Sequence, residues 1–431
     1  MVNLLDTGGK TIFFNPETEV IKDFEIFEQI LIFRGGLGMF NMATQRRAND
    51  ICKEKMKKLK IGILTFHDGD NFGSVLQAYA LQETVKQFNT DCVEIINYKQ
   101  PYLLDKFKLI TFNKSSPKKF IISLIDNMLF TSCRYLAKIR YRDFRDKYMN
   151  ISSVKYFNSR DINGYDAYIV GSDQVWNNEI IRDDETFFLG FCTNNQKKIA
   201  YAASIGNNNI CGEQLDWLKK HINNIDYISV REDSAMKTIS SLTKKEVVQV
   251  LDPALLADQK LWDKFVKVKK YRTSYLLLYR IYANDELYNV ANKIARHLNL
   301  KVIYIHYRSN NPKVLDYSNK PYKYDFKNVR SAGPKDFITL LKNANFIVTN
   351  SFHATAFSII FNKNFIVVPD KERGDRLISL LNMLKLSKRI ITSYTQVLEN
   401  FNFEVNYETA NEILSKEKEK SLCFLQNALK N

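Results

Sequence analysis

Three side chains stand where an apolar run gives way to a polar turn, and each could act on an anionic or hydroxyl-bearing ligand. His353 lies in NANFIVTNSFHATAFSIIF (343–361), at a predicted strand-to-helix junction directly after Asn350 and Ser351. A helix N-terminus disfavours an imidazolium and a bound anion favours it, so an imidazole placed there can gain a proton as an anionic substrate arrives. Arg231, in IDYISVREDSA (225–235), follows an apolar strand and precedes a helix. Its guanidinium can fork onto a carboxylate or phosphate, or form a surface pair with Glu232 or Asp233. Asp173, in YDAYIVGSDQVWN (165–177), shares with Ser172 and Gln174 a polar tail that a buried strand does not need. Asp173 and Gln174 can orient a hydroxyl, or the tail is an Asx turn with Trp176 plugging the core. In HDGDNFGSVLQAYALQ (67–82), Gly69 and Gly73 loosen a βα turn and Ser74 can cap the helix, leaving amides for an anion. Asn71, Gly73 and Gln77 are the ligand-binding candidates of that loop. It lacks G-x-G-x-x-G, and a tight turn with a capped helix accounts for it equally well.

Other chemistry-bearing residues point to less. His67 adjoins Asp68 and Asp70, but no second His stands at metal-ligand spacing, so no metal site is expected. His306, inside KVIYIHY, reads as a partly buried core residue. Arg373, Arg376 and Arg389 flank or enter the amphipathic DRLISLLNMLKL and read as a solvated basic face, with Arg376 best placed to reach a cleft. The six Cys are scattered without a C-x-x-C pair, which fits reduced thiols rather than a zinc ribbon, a redox motif or a disulfide framework.

The elements that must position these residues alternate. From Lys60, LKIGILTF, a helix from about Ser74 to Phe88, and DCVEIINY read as a βαβ unit with a parallel sheet. After an insertion come the short strands YDAYIVGS, KKIAYAASIG, IDYISVRE and EVVQVLDP. A second series runs through SYLLLYRI, a helix near 285–298, KVIYIHY, a helix near 334–343, NFIVTNSF, a helix near 353–361 and NFIVVPD. The fold class is therefore α/β, with two Rossmann-like doubly wound domains facing a cleft, since ligands of open α/β sheets bind at the carboxyl ends of strands. The expected boundaries are an extension over 1–55, a first domain over 56–252 with a basic helical insertion at 99–147, a hinge at 253–272, a second domain over 273–400 and a helical segment over 401–431.

With 431 residues, 45% hydrophobic and 26% charged, the chain can build two or three packed domains at roughly 150 residues each. Its 63 Lys and Arg against 47 Asp and Glu leave a net +16, which favours anionic partners such as phosphates, acidic sugars, a membrane surface or nucleic acid. The insertion 99–147 holds 12 basic and 4 acidic residues, with Phe120, Ile121, Leu124, Met128 and Leu129 interleaved at helical spacing. It can rest on an anionic membrane or a lipid-linked acceptor, or simply cover the first domain's core. It carries no nucleic-acid-reading motif, so no nucleic-acid partner is expected. No signal peptide is evident, since Asp6, Lys10, Glu17 and Glu19 break the early stretch. No apolar run approaches the ~20 residues of a membrane-spanning helix. A cytoplasmic protein, at most peripheral to the inner face of the membrane, is expected.

Taken together, NFGSVLQAYAL, VGSDQVWN, SVREDSA, VLDPALL and TNSFHATAFSIIFNK, in that order over about 58–395, resemble the polysaccharide pyruvyl transferase family. The resemblance implies two Rossmann-like domains arranged as in type B glycosyltransferases. It also implies transfer of pyruvate from phosphoenolpyruvate to the hydroxyls of a sugar in cell-surface or exported glycan synthesis, usually as a cyclic ketal. Arg231 then matches the arginine of the family's strand-end motif, and His353 the histidine implicated near phosphoenolpyruvate. By this resemblance Arg231 clamps the donor anion, His353 is the acid/base, and Asp173 is a base or orients the acceptor. No cofactor or metal is required, and the partners are phosphoenolpyruvate and a free or lipid-linked saccharide. Where better-understood members carry Arg-Leu-His, this chain reads Ser351-Phe352-His353. A nucleotide-sugar glycosyltransferase and a catalytically silent glycan-binding relative remain as alternatives.

Residues 1–55 carry 7 basic and 8 acidic residues and no strand–turn–helix unit, and Met56 opens the basic-then-apolar MKKLKIGILTF. A chain beginning at Met56 is expected to fold and to keep its ligand response. A melting temperature lower than the full chain's by more than several degrees would instead place the extension against a domain.

Overall fold

The computed structural model describes residues 2–5, 11–14, 59–88, 90–100, 109–110, 112, 116–182, 184–206, 210–267, 274–281, 284–306, 324–370, 373–393 and 401–430. The chain divides into two compact units, Met1–Lys57 and Lys58–Asn431. In the first, β1 (Val2–Leu5) and β2 (Thr11–Phe14) pair antiparallel with Val2 opposite Phe14, a hairpin not anticipated from the sequence.

The second unit holds two parallel sheets. The first is built from β3 (Leu59–Leu64), β4 (Thr90–Tyr98), β5 (Ile151–Tyr156), β6 (Ala167–Gly171), β7 (Lys197–Ala203), β8 (Tyr227–Val230) and β9 (Val247–Gln249) in the order β5-β4-β3-β6-β7-β8-β9. The second runs β12-β11-β10-β13-β14, from β10 (Tyr275–Arg280), β11 (Lys301–His306), β12 (Phe326–Val329), β13 (Phe346–Thr349) and β14 (Asn364–Val367). Central strands such as β6, β10 and β13 are buried at every residue. This is why they read as unbroken apolar runs rather than alternating ones.

Between the strands lie α1 (Phe72–Val85), α2 (Pro117–Tyr148), α3 (Asn178–Ile181), α4 (Glu213–Ile222) and α5 (Asp233–Leu242). Next come α6 (Pro253–Leu256), α7 (Gln259–Asp263), α8 (Asp285–His297), α9 (Pro334–Asn343), α10 (Phe352–Ile360) and α11 (Asp375–Met383), and α12 (Glu408–Lys430) ends the chain. Two helices carry the junction between the sheets. Every residue of α1 but Glu83 is buried, and so is every residue of α10. A helix that is apolar on all sides needs neighbours on all sides. Those neighbours come from both halves: Phe72 of α1 stacks on Phe337 of α9 with ring centres 4.4 Å apart, and Trp262 of α7 meets Phe357 of α10 edge-on at 4.8 Å.

The segment 253–272, expected as a hinge, begins with α6 and α7, and Trp262 is fully buried with its indole N–H donating to the Ala254 carbonyl at 3.2 Å. The C-terminal helix α12 returns to the first sheet, where Ser421 Oγ accepts from the Leu251 amide at 3.0 Å and Lys197 Nζ donates to the Leu429 carbonyl at 2.5 Å. The insertion forms the 32-residue α2. Its C-terminal part wedges between the halves: Tyr141 stacks on Phe72 at 5.3 Å, and Arg140 Nη1 donates to the Ser331 carbonyl at 2.6 Å and pairs with Asp336 at 3.1 Å. Gly333 allows that approach, because a Cβ there would overlap Arg140 Cβ. One expectation is corrected here. Phe120–Tyr148 is a 29-residue stretch with a window of mean hydropathy 1.2, long and apolar enough by length and composition to cross a membrane.

Phe337 is fully buried and in ring contact with Phe72 and Tyr279. Phe337→Ala is expected to lower the unfolding free energy by about 3–5 kcal/mol, as large core truncations do. Denaturant titration of the two proteins checks it, and a loss under about 1 kcal/mol would mean that the aromatic seam does not hold the halves together.

Candidate active site

At the carboxyl ends of their strands, the two sheets bring four polar side chains together. Ser172 follows β6, Arg231 follows β8, Asp252 follows β9 in Val250-Leu251-Asp252-Pro253, and His353 sits in the first turn of α10 after β13. All four are buried. Asp252 Oδ2 accepts from Arg231 Nη1 at 2.7 Å and from Ser172 Oγ at 2.7 Å, and His353 Nε2 lies 3.6 Å from the same oxygen. Asp252 Oδ1 accepts from the Ala254 amide at 2.9 Å, so the carboxylate also caps α6.

Burial alone would push the Asp252 carboxyl up, but His353, Arg231 and Ser172 more than offset it and hold the group well below the usual carboxylate range. Burial likewise pulls the Arg231 guanidinium down, and Asp252, Glu232 and Asp173 reverse the direction, so the arginine stays charged. The anticipated surface pair of Arg231 is thereby corrected. Its side chain is 2% exposed, its closest acid is Asp252, and Glu232 Oε2 stands 3.8 Å from Nε. Asp233 pairs outward with Lys237 at 2.7 Å. A buried guanidinium is tolerated because it is paired and hydrogen-bonded. The Phe352 ring closes it from one side, 4.4 Å from Cζ.

Glu232 is 1% exposed and is pushed up by burial, an effect that Arg231 and Arg376 only partly counter. Its Oε1 accepts from Ser204 Oγ at 2.7 Å and the Ile205 amide at 3.1 Å. Arg376, at the start of α11, is buried, as is Arg389, which lies 4.7 Å from the Phe401 ring. The solvated basic face expected of this helix is therefore absent at both positions, while Arg373 pairs with Glu179 at 3.1 Å. Helix α11 leans on α5: Ser379 Oγ accepts from the Asp233 amide at 3.2 Å, and Ser234 bonds Asp375.

The α1 loop meets His353 directly. A Cβ on Gly73 would overlap imidazole Nδ1, Cγ and Cε1, so only glycine lets the two helices approach this closely. Asn71 Oδ1 caps α1 through the Gly73 amide at 2.9 Å and the Ser74 amide at 3.3 Å. Ser74 Oγ then donates to Asp173 Oδ2 at 2.5 Å, across the β3–β6 boundary where strand order reverses. Asp173 has φ +71°, a conformation Asp tolerates better than most residues, and its Oδ1 accepts from the Gln174 amide at 2.9 Å. Gln174 Oε1 accepts from Asn177 Nδ2 at 2.8 Å, and Gln77 is fully buried with Nε2 donating to Thr65 Oγ1 at 2.9 Å. Asn350 Oδ1 accepts from the Ile281 amide at 2.7 Å and Ser351 Oγ from the Ala354 amide at 3.3 Å, holding the β13–α10 turn. Trp176 is a core plug, stacked on Phe188 with its N–H on the Phe187 carbonyl.

Thus Arg231, His353, Ser172, Asp173 and Gly73 share one cluster, while Asn71, Gln77, Gln174, Asn350 and Ser351 shape its turns. His67 and His306 stand apart: His67 Nδ1 bonds the Thr65 carbonyl at 3.0 Å and burial lowers its basicity, and His306 Nε2 contacts Asn328 Oδ1 at 2.5 Å. Among the described residues no group of three His, Cys, Asp or Glu is placed to hold a metal. Sequence reasoning missed Asp252, Glu232 and Phe352. Asp252 stands before a proline at the first helical position, which reads as an ordinary cap and masks its second contact.

Two doubly wound parallel domains, with an arginine–carboxylate–imidazole cluster buried at facing strand ends, define a two-domain α/β protein. The family model for polysaccharide pyruvyl transferase matches residues 71–372, and the chain belongs to that family. Solved structures similar to it include a UDP-N-acetylglucosamine 2-epimerase from Rickettsia bellii, at 12% identity and TM-score 0.46 over 85% of this chain and 96% of that one. Another is Arabidopsis thaliana UGT89C1 complexed with UDP-L-rhamnose, at 9% identity and TM-score 0.44 over 86% and 99%. No curated protein matches the chain.

Asp252→Asn leaves Arg231 buried beside a neutral amide and should cost about 3–5 kcal/mol of stability at neutral pH. Because the folded Asp252 carboxyl is depressed, its contribution is complete above the unfolded value of about 4 and is lost as pH falls through the folded value. Denaturation of both proteins down the acid range should show the gap closing. A constant gap would mean that Asp252 is not ionised in the fold.

Proposed function

We propose that the protein transfers pyruvate from phosphoenolpyruvate to two hydroxyls of a saccharide, free or lipid-linked, in the synthesis of a cell-surface or exported glycan. The supporting observation is the Arg231–Asp252–His353 cluster, in which an imidazole from one sheet faces a charged guanidinium and carboxylate from the other. Arg231 Nε and Nη2, Arg376 Nε and His353 Nε2 have no hydrogen-bond partner among the described residues. Buried donors of this kind suit an anion carrying both carboxylate and phosphate.

In this reading Arg231 clamps the donor, with Asp252 fixing the guanidinium and leaving two of its nitrogens for the ligand. His353 delivers a proton to the enol methylene while the first sugar hydroxyl bonds to the adjacent carbon and loses its own proton to a base, for which Asp173 is the candidate. The second hydroxyl then bonds to that carbon, giving its proton to the now neutral His353, as the carbon's bond to the phosphate oxygen breaks and the leaving phosphate takes up the proton held by Asp173. The products are the cyclic ketal and inorganic phosphate, and the chemistry calls on no cofactor. Closure of two domains on such a ligand excludes water from the reacting enol. The proposed setting is cytoplasmic, where phosphoenolpyruvate is made.

Arg231→Lys keeps a cation beside Asp252 but loses the fork, and it should weaken donor binding about ten- to a hundredfold by calorimetry. His353→Gln should lower phosphate release from phosphoenolpyruvate, in the presence of acceptor, by about 10²–10⁴ with a smaller change in donor binding. Unimpaired turnover in the histidine variant removes the acid/base assignment. Wild-type protein that binds a nucleotide sugar and not phosphoenolpyruvate moves the function to glycosyl transfer.

A further inference from the structure

The N-terminal half of α2 is turned inside out. Ser123 and Asn127 are 5% and 7% exposed, while Ile121, Leu124, Ile125 and Leu129 are 50–60% exposed and Met128 is 88% exposed. Leu136, 47% exposed, extends the same face, so the stripe runs for about 22 Å at 1.5 Å per residue. A helix that covers a core shows the opposite pattern, with its apolar face inward. Exposed Lys118 stands before the stripe, and exposed Lys138 and Arg142 stand after it. Of the three acids on this helix, Asp126 pairs with Arg134 and Asp143 with Lys147, while Asp146 is exposed in the last turn, beyond the stripe. Over 99–147 the segment carries 12 basic and 4 acidic residues, a net of +8.

We infer that this face is a docking surface for an anionic lipid bilayer, with α2 lying in the plane of the interface. An apolar stripe bounded by lysine and arginine is the pattern that inserts side chains among acyl chains while cations meet headgroup phosphates. Charge complementarity selects the bilayer over a second copy of the chain, because pairing two such faces brings the exposed Lys118, Lys138 and Arg142 of one copy against those of the other. The helix does not cross the membrane. Its last third is fixed in the protein by buried Tyr141 and Phe144, and the free stripe is shorter than the ~20 residues a span requires. This inference does not depend on the proposed chemistry.

The test is flotation of the full chain with vesicles of phosphatidylcholine alone and of phosphatidylcholine mixed equally with phosphatidylglycerol. The protein should float with the mixed vesicles, largely stay behind with the neutral ones, and detach as salt is raised. The double variant Met128→Ser/Leu129→Ser should bind the mixed vesicles about tenfold less or weaker still, with an unchanged melting temperature because both side chains are exposed. Equal recovery on both vesicle types, no recovery on either, or a folded double variant that floats like the wild type each overturns the inference. So does self-association of the wild type that the same variant abolishes without any flotation.

Discussion

The Asp252 carboxylate is the charge around which the rest of the second unit is arranged. A lone carboxylate in such surroundings would carry a large desolvation penalty and protonate. It stays ionised because Arg231, Ser172 and the α6 amide end meet it from the first sheet and the adjoining helix, and His353 faces it from the second. Removing any one contact leaves another member of the cluster buried and short of a partner. The interaction therefore ties the register of β6, β8 and β9 to the placement of α10, and local geometry in one half becomes a condition on the other.

That coupling explains why the junction is so tightly built. The imidazole can reach Asp252 only if α10 lies against the start of α1, and a side chain at position 73 would prevent it. The aromatic seam of Phe72, Phe337, Phe357 and Trp262 supplies the apolar packing that holds the helices at that separation. Helix α2 adds Tyr141 from one side while Arg140 reaches Ser331 and Asp336. An ionic cluster with little net stabilising value is thus positioned by hydrophobic contacts that carry most of the stability.

The central strands were legible because parallel strands covered on both faces are continuous apolar runs. The edge strands β5 and β12 were not: Ile151–Tyr156 and Phe326–Val329 bury one residue each, and Lys155 or Lys327 interrupts them. Arg231 and His353 stood out because a charged or titratable residue directly after an apolar strand has few structural reasons to be there. Asp252 did not, since Asp-Pro has an ordinary explanation as a helix cap and its second contact is visible only when β8 and α10 are placed beside it. The same blindness affected Arg376 and Arg389, whose helical pattern reads as a solvated face although tertiary packing buries both.

The Ser351-Phe352-His353 turn and the arginines near it couple the charge states of the site's buried groups. Ser351 spends its hydroxyl on the Ala354 amide and closes the first turn of α10. The next residue, Phe352, presents its ring to the Arg231 guanidinium at 4.4 Å, a contact that a leucine at this position would not offer. Arg231 of the first sheet and Arg376 of α11 both act on the buried Glu232. Glu232 lies between two demands. Burial favours its neutral form and the two arginines favour its charged form, so an anionic ligand that drew the guanidinium groups to itself would ease its protonation. With phosphoenolpyruvate as the proposed donor, its binding and the charge state of Glu232 are then linked through Arg231 and Arg376.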